Sequence, residues 1–396
     1  MTTGMEMPEQ PRSRRQTRAA ILTHLLQSGG SFRPPLAKAV RLSEASLSRI
    51  LFDLKAEGLI EEVRRPAPYV GGPTGHVSLD GSVALAAFEL TTQWLSIGVG
   101  GLSGELHYTE RVPLPKTPTV ETVGRAFREA LTLLRDSTRL RRITLAQIGV
   151  SIPGLGRLST SGNPIIPCDV RHISAMFGEV FAGVPVEFTN SVVARATFHR
   201  FRTENYPFSG AHLFVFVSHG VAGAWMDDPA EADALQPVEL GHMVFGPEGP
   251  RCRCGHHGCV EAYTSLTALA EVLGVAEAEL LQIGSEWVNR ISISSRVRQE
   301  LRRRLFRLGL AIGNTLNVRP CNGVAMSGWP SLLSEDDRSA VVEGIDACLL
   351  GGRTLAQVSL AFVPPSTGND PQAALAFAAF CLASRGGMPA ASTEAA

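Results

Sequence analysis

The stretch GHMVFGPEGPRCRCGHHGCVEAYTS, residues 241–265, carries the densest chemistry in the chain. Cys252, Cys254 and Cys259 fall within eight residues, and His242 stands ten positions before the first of them. Three thiolates and one imidazole satisfy the tetrahedral preference of zinc. A closed set of four leaves no open position for an activated water, so the spacing predicts one structural zinc per chain in a loop over 242–259. Gly241, Gly246, Gly249, Gly255 and Gly258 supply the bends that bring such closely spaced ligands together. His256 and His257 are rival nitrogen donors for the fourth position. Thiols this close in a metal-free loop would be prone to oxidation. Glu239 and Glu261 bracket the knot. A carboxylate accepts hydrogen bonds from neighbouring hydroxyls, so a polyol or sugar is a chemically sensible ligand there, a solvated or salt-bridged carboxylate being the alternative.

Around the knot the texture is that of an α/β body. After Asp80, the segments Leu95–Val99, Leu106–Val112, Ile143–Ile152, Val184–Phe188 and Leu213–Val217 read as apolar strands, alternating with helical stretches such as Glu121–Arg135 and Ser191–Arg202. The run LTALAEVLGVAEAELLQIG from Leu266 and the amphipathic run Val297–Leu316 predict helices, Val324–Met326 a strand, and Pro371–Leu382 a last helix. Gly386–Ala396 reads as a loose tail. No period of repeat-array length is evident.

A chain of 396 residues with 44% hydrophobic and 19% charged residues can build two or three cores, which excludes a peptide hormone and a disordered chain. Lys+Arg and Asp+Glu both number 37. Up to Arg65 the balance is eleven basic to seven acidic residues, the excess a nucleic-acid module would carry. Seven cysteines, an odd number, do not make a disulfide framework. The N-terminus MTTGMEMPEQPRSRR lacks the apolar run of a signal peptide, and no stretch is long and apolar enough to span a bilayer, so no membrane association and a reducing cytoplasm are expected.

The N-terminal segment reads as three helices and a hairpin. Ala20, Ile21, Leu25 and Leu26 recur at helical spacing until Ser28-Gly29-Gly30 stops the run, and Pro35–Val40 predicts a second short helix. Ser43 is a good N-cap for a third helix reaching Glu57, with Leu47, Ile50, Leu51 and Leu54 as its apolar stripe. Ser43, Ser46, Ser48 and Arg49 can point outward, and short hydroxyls beside one arginine suit close entry to a major groove. Leu59-Ile60 and His76–Leu79 then frame a wing around the loop from Pro66 to Gly75. Arg12, Arg14, Arg15 and Arg18 make a basic arm ahead of the first helix, which with the Arg64-Arg65 pair would touch backbone or minor groove. A solvated tail and a plain three-helix bundle are the bland alternatives.

Glu239-Leu240-Gly241-His242 followed by Cys252-Arg253-Cys254-Gly255-His256-His257-Gly258-Cys259-Val260-Glu261 resembles the signature of the ROK family (repressors, open reading frames and sugar kinases). The helices and hairpin ahead of it resemble the family's transcriptional-regulator branch, whose repressors respond to xylose, N-acetylglucosamine or glucose. The resemblance runs from about Thr17 to Leu382. It implies an N-terminal winged helix-turn-helix over 12–80 and a two-lobed actin-like, ribonuclease-H-like body of the sugar-kinase type. The lobes would span 81–200, completed by a C-terminal helix at 371–385, and 201–370, with the zinc loop in the second. Ile148–Gly154 resembles the family's strand-turn, and Val184–Asn190 the strand that delivers an asparagine to the sugar. Asn190, Glu239, His242 and Glu261 match sugar-contacting positions, and His242 with Cys252, Cys254 and Cys259 matches the zinc ligands.

The departures from the family pattern bear on activity. Family kinases follow the asparagine with an aspartate that deprotonates the sugar hydroxyl; Ser191 stands there, and a serine hydroxyl is no base near neutral pH. Glu89-Leu90-Thr91-Thr92-Gln93 lies opposite the Asp-hydrophobic-Gly-Gly-Thr phosphate loop, and Ser218–Gly223 is an imperfect second glycine-rich turn. The wing turn is Gly72-Pro73-Thr74-Gly75 where the family carries a Gly-Arg-Pro-like turn. The expected protein is no enzyme but a repressor, a homodimer or homotetramer on a pseudo-palindromic double-stranded operator, released by a monosaccharide or amino-sugar effector. A sugar kinase with an added DNA-binding head, or a regulator controlled by a protein partner, are the other readings.

Overall fold

A computed structural model of the chain describes residues 13–66, 74–137, 144–155, 163, 165–203, 205–227, 235–277, 279–280, 286–289, 294–350, 358–365 and 371–387. The first helix, α1 (Arg14–Ser28), starts at a capping box: the Gln16 amide donates to the Ser13 hydroxyl, and the Ser13 amide donates to the Gln16 side chain. Gly29, with φ +67°, ends it. Then come β1 (Ser31–Phe32), α2 (Arg33–Ala39), α3 (Glu44–Ala56), β2 (Ile60–Arg65) and β3 (Thr74–Leu79), the strands ordered β1-β3-β2. Leu47, Leu51 and Leu54 of α3 are buried with Ile21, Leu22, Leu25, Leu36 and Val77 in one core.

Two expectations for this head are corrected. The arginines of the supposed arm, Arg14, Arg15 and Arg18, lie on α1, because the Ser13 cap starts the helix ahead of the apolar periodicity; Arg12 lies outside the described residues. The hairpin strands are longer than their apolar residues suggest, pairing from Ile60–Leu79 out to Arg65–Thr74, while Gly72 and Pro73 lie outside the described residues.

The body holds two five-stranded sheets. The first comprises β4 (Ala84–Leu90), β5 (Trp94–Gly101), β6 (Leu106–Pro113), β7 (Leu145–Ile152) and β8 (Val186–Asn190), ordered β6-β5-β4-β7-β8, with α4 (Val120–Asp136) and α5 (Val170–Val180) packed on one face. The second comprises β9 (His212–Val217), β10 (Val221–Met226), β11 (Leu235–Val238), β12 (Gly323–Gly328) and β13 (Ser359–Phe362), ordered β11-β10-β9-β12-β13. Each is an antiparallel triplet extended by two parallel strands. Between the sheets in sequence runs α6 (Ser191–Arg202); α7 (Val260–Thr264), α8 (Leu266–Leu273), α9 (Ser295–Val318) and α10 (Glu335–Asp346) belong to the second half. No described helix is long and apolar enough to cross a membrane.

The last helix, α11 (Gln372–Ser384), joins the parts. Every residue from Ala373 to Ala383 is buried, against β4, β7, α6 and α1. Gly149 on β7 permits the approach: a Cβ there would stand 2.5 Å from the Ala374 carbonyl oxygen. Of the tail expected to be loose, Gly386 and Gly387 are described and are pinned, while residues 388–396 lie outside the described residues. Gly386 and Gly387, with φ +73° and +75°, turn the chain between α1 and Leu59, and the Gly386 carbonyl accepts from Arg18 Nε at 2.8 Å. The same guanidinium, 1% exposed, donates to both carboxylate oxygens of Glu57, which caps the end of α3.

Replacing Arg18 with Met should leave Glu57 and the Gly386 carbonyl without their donor. We expect a loss of about 2 kcal/mol, below the ~3–5 kcal/mol of a fully buried pair because Glu57 is half exposed. Hydrogen exchange should then quicken in α1 and α3; unchanged protection of both helices would contradict the role of this contact.

Candidate functional site

The cysteine loop is held by two isolated bridges, Val244–Cys259 and Arg251–His257. Gly258, with φ +72°, lies so close to the Gly246 carbonyl that no side chain fits. A short 3-10 turn, Leu240–His242, delivers the imidazole, and Cys259 caps α7. The ligand atoms of His242, Cys252, Cys254 and Cys259 all lie within 4.8 Å of one another. Cys254 Sγ is 3.6 Å from Cys259 Sγ, and Cys252 Sγ is 3.7 Å from His242 Nδ1. Metal–ligand bonds of roughly 2.3 Å to sulfur and 2.0 Å to nitrogen give tetrahedral edges of about 3.8 and 3.5 Å, so this cluster could hold a metal. Burial, then the adjoining Cys254 and Cys252 sulfurs, push the Cys259 thiol up to about 12. A divalent cation would remove that obstacle to ionisation. Of the rival donors, His257 faces the Gly249 carbonyl oxygen at 3.0 Å, and His256 Nδ1 sits 3.5 Å from Cys254 Sγ.

The bracketing carboxylates differ in setting. Glu261 accepts from the Val221 amide through Oε2 at 2.9 Å, while Oε1 stands 3.8 Å from Cys252 Sγ. Glu239 is 59% exposed at its side chain and lies 3.9 Å from His242 Nε2. Glu239, His242 and Glu261 are thus gathered at the knot. Asn190 is placed at the end of β8 in the other sheet, where its Oδ1 accepts from the Val192 amide and its Nδ2 donates to the Leu155 carbonyl at 3.0 Å.

The segments that the resemblance sets opposite the kinase phosphate loops have several of their polar groups bonded within the fold. Glu89, buried on β4, accepts from Arg195 of α6 at 3.0 Å, and the Arg195 guanidinium lies 4.8 Å from the centre of the Phe216 ring on β9. At the following hairpin the Thr91 hydroxyl accepts from the Gln93 and Trp94 amides. In the second turn the Val221 amide is taken by Glu261, and His219 pairs with Glu277 at 2.9 Å. Glu277 also accepts from Thr267, which in turn accepts from Arg253 of the cysteine loop.

In the head, the Ser43 hydroxyl accepts from the Ser46 amide and so caps α3. Ser46 and Arg49 are exposed, as are Arg15 on α1 and Arg64 on β2. Ser48 is half-buried and accepts from Arg33 at 2.9 Å; Arg33 also forks onto Glu62 of β2, at 2.5 and 2.8 Å. That guanidinium holds the Glu62 carboxyl below the usual carboxylate range. Arg33 therefore ties α3 to the hairpin and lines, with Glu62, Arg64, Thr74 and Gly75, a polar cleft of about 450 Å³. Sequence reasoning missed it, since nothing local links position 33 to positions 48 and 62. It also missed Phe52, an exposed aromatic whose place off the Leu47-Leu51-Leu54 stripe was a readable signal.

Comparison with known proteins follows the same outline. Residues 87–378 match the ROK family model. The DNA-binding transcriptional repressor Mlc of Escherichia coli is 26% identical over 287 residues, 65% of each chain. The N-acetylmannosamine kinase of Citrobacter koseri is 29% identical over 196 residues, 44% of this chain and 62% of the kinase. The DNA-binding transcriptional dual regulator NagC of Escherichia coli is 24% identical over 286 residues, 64% of this chain and 63% of the regulator. The chain therefore spans a little under two thirds of the length of these curated relatives. A solved ROK family transcriptional regulator, a homolog of the Escherichia coli Mlc protein, superposes with a TM-score of 0.69 at 18% identity, covering 94% of this chain and 97% of its own. The ROK hexokinase of Thermus thermophilus reaches 0.55 at 19% identity, covering 75% and 97%. The identities are too low for these two structures to speak of more than fold. With well over half of its length on the family model, the chain belongs to the ROK family.

Proposed function

We propose that this protein is a DNA-binding transcriptional repressor of carbohydrate-related genes, governed by a sugar-type ligand and without kinase activity. The observation that carries the reading is a tri-helical, winged head with an exposed α3 on a kinase-like body whose phosphate-loop counterparts are bonded inward. Homodimers or tetramers would present two heads to a pseudo-palindromic operator, α3 entering the major groove with Ser46, Arg49 and its neighbours toward the bases. Arg15 and Arg64 would meet phosphates, and Ser43 and Ser48 would hold the helix in place.

Kinase relatives make phosphoryl transfer the second reading, and Ser191, Glu89 and the Thr91 hairpin weigh against it. Phosphate loops work by offering unspent backbone amides, and here the Gln93, Trp94 and Val221 amides already have acceptors. Ser191 has no charge with which to draw a proton from a sugar hydroxyl. The sugar would instead be held by Glu239, His242 and Glu261, with Asn190 opposite. A zinc ion on His242, Cys252, Cys254 and Cys259 would be structural, fixing the loop that carries these groups. In this reading sugar binding shifts the heads and changes operator affinity by linkage.

Purified, zinc-loaded protein offered a random DNA pool should enrich one two-fold sequence and release it with one member of a panel of monosaccharides and amino sugars. No enrichment under any condition would overturn the repressor reading. A coupled assay should detect no ATP turnover on any hexose or N-acetylhexosamine, and measurable turnover would restore the kinase. Replacing Cys254 with Ala should take zinc content from one per chain to near zero and weaken operator binding. A variant that keeps full zinc occupancy would refute the assigned ligand set.

A further inference from the structure

The recognition face of α3 has an apolar centre. At 3.6 residues per turn, the pole opposite Leu47, Leu51 and Leu54 is formed by Ala45, Arg49, Phe52 and Ala56, all exposed. Phe52 is 75% exposed, more than any other large hydrophobic among the described residues of the head. Its surroundings are cationic: Arg49 stands one turn before it and Lys55 three residues after, both exposed. The adjacent carboxylate, Asp53, is neutralised by Arg14 at 2.5 Å. An apolar spot framed by positive charge fits a partner with an apolar spot framed by negative charge. A second copy of the same face would set cation against cation, which argues against self-association there. The major groove supplies the complement: phosphates flank it, and the thymine C5-methyl is the apolar group on its base edges.

We infer that Phe52 is a specificity-determining residue that packs on a thymine methyl in the major groove. The inference rests on the proposed DNA-binding reading. Phe52 and Arg49 are three residues apart on one helix face, so the thymine lies within a base step or two of the base or phosphate that Arg49 contacts. Arg49 then supplies attraction and register, and Phe52 supplies discrimination.

The test uses the site selected by the full-length protein, resynthesised with deoxyuridine in place of thymidine at one position at a time. Deoxyuridine keeps the base pair and removes only the methyl group. At one position in each half-site, the exchange should weaken binding by the native protein about four-fold, the worth of one methyl group withdrawn from water. Phe52→Ala should bind the two forms of that site equally, while Phe52→Leu, which keeps an apolar surface, should retain part of the difference. Circular dichroism and zinc content identical to the native protein would certify that Phe52→Ala is folded. A selected site whose thymine-to-deoxyuridine responses are the same for native protein and Phe52→Ala would overturn this inference alone. Loss of self-association in Phe52→Ala with those responses unchanged would also overturn it, by placing Phe52 in a protein contact. Failure of the native protein to select any site would remove the DNA-binding reading and this inference together.

Discussion

The helix made last, α11, is the one on which the head and the first sheet both depend. It is apolar on all sides, with buried residues from Ala373 through Ala383, so it is stable only when enclosed. It covers β4 and β7, lies along α6 and touches α1. The core it completes takes in Leu25 and Leu51 of the head, Ala194 of α6 and Phe214 of the second sheet. Folding of the head is therefore bound to the chain's far end. The Gly386-Gly387 turn tightens that bond by meeting the buried charge of Arg18, whose other partner closes α3. The outcome is a continuous packed route from α6, which Asn190 caps, to the end of the helix proposed to read DNA. Such a route offers a path for the proposed linkage between a ligand in the body and an operator, which also needs two arrangements of the parts it joins.

The proposed regulator reading of a kinase-like body draws its support from where its polar groups are directed. An enzyme acting on phosphate keeps its amides and carboxylates unspent until the substrate arrives, and that readiness has a cost in stability. Here the corresponding groups are spent on the fold. Glu89 and Arg195 neutralise each other in the interior, and the Phe216 ring beneath the guanidinium brings the second sheet into the same contact. The Thr91 hydroxyl closes its own hairpin. These contacts occupy the segments that the family resemblance sets opposite a kinase's phosphate loops.

Much of this was legible in the sequence. Strands with long apolar runs, such as Leu213–Val217, declare themselves, and so does the cysteine loop, because its chemistry is carried by side-chain identity at close spacing. What could not be read was set by contacts far apart in the chain. Strand β4 is buried at every position, including Glu89, so it shows no alternation and its glutamate suggests a loop until Arg195 is seen beside it. The arginines read as a basic arm lie on α1, which starts at the Ser13 cap, and two of them, Arg14 and Arg18, pair with Asp53 and Glu57 at α3, contacts that nothing local in the sequence announces. The two sheets share one strand order although no repeat is evident in the sequence. At the site, the composition of the knot was apparent, but the engagement of Ser48 by Arg33 and of Asn190 by Leu155 was not.

The metal-competent cluster and the carboxylates proposed for sugar binding are not separable features. Cys252 stands between them, its sulfur 3.7 Å from His242 Nδ1 and 3.8 Å from Glu261 Oε1. Glu261 in turn holds the Val221 amide at the turn between β9 and β10, where a Cβ at Gly220 would stand 2.9 Å from that carboxylate. Arg253, from between two of the cysteines, reaches Thr267 and through it Glu277, which faces His219 on the same turn. The loop therefore grips the β9–β10 turn from two directions. Fixing His242 and Cys252 on a common ion would fix the position of Glu261, and with it the turn that joins β9, the central strand of the second sheet, to β10. In the proposed reading, a metal with no open coordination position would set how firmly the carboxylates at the knot are attached to the second sheet.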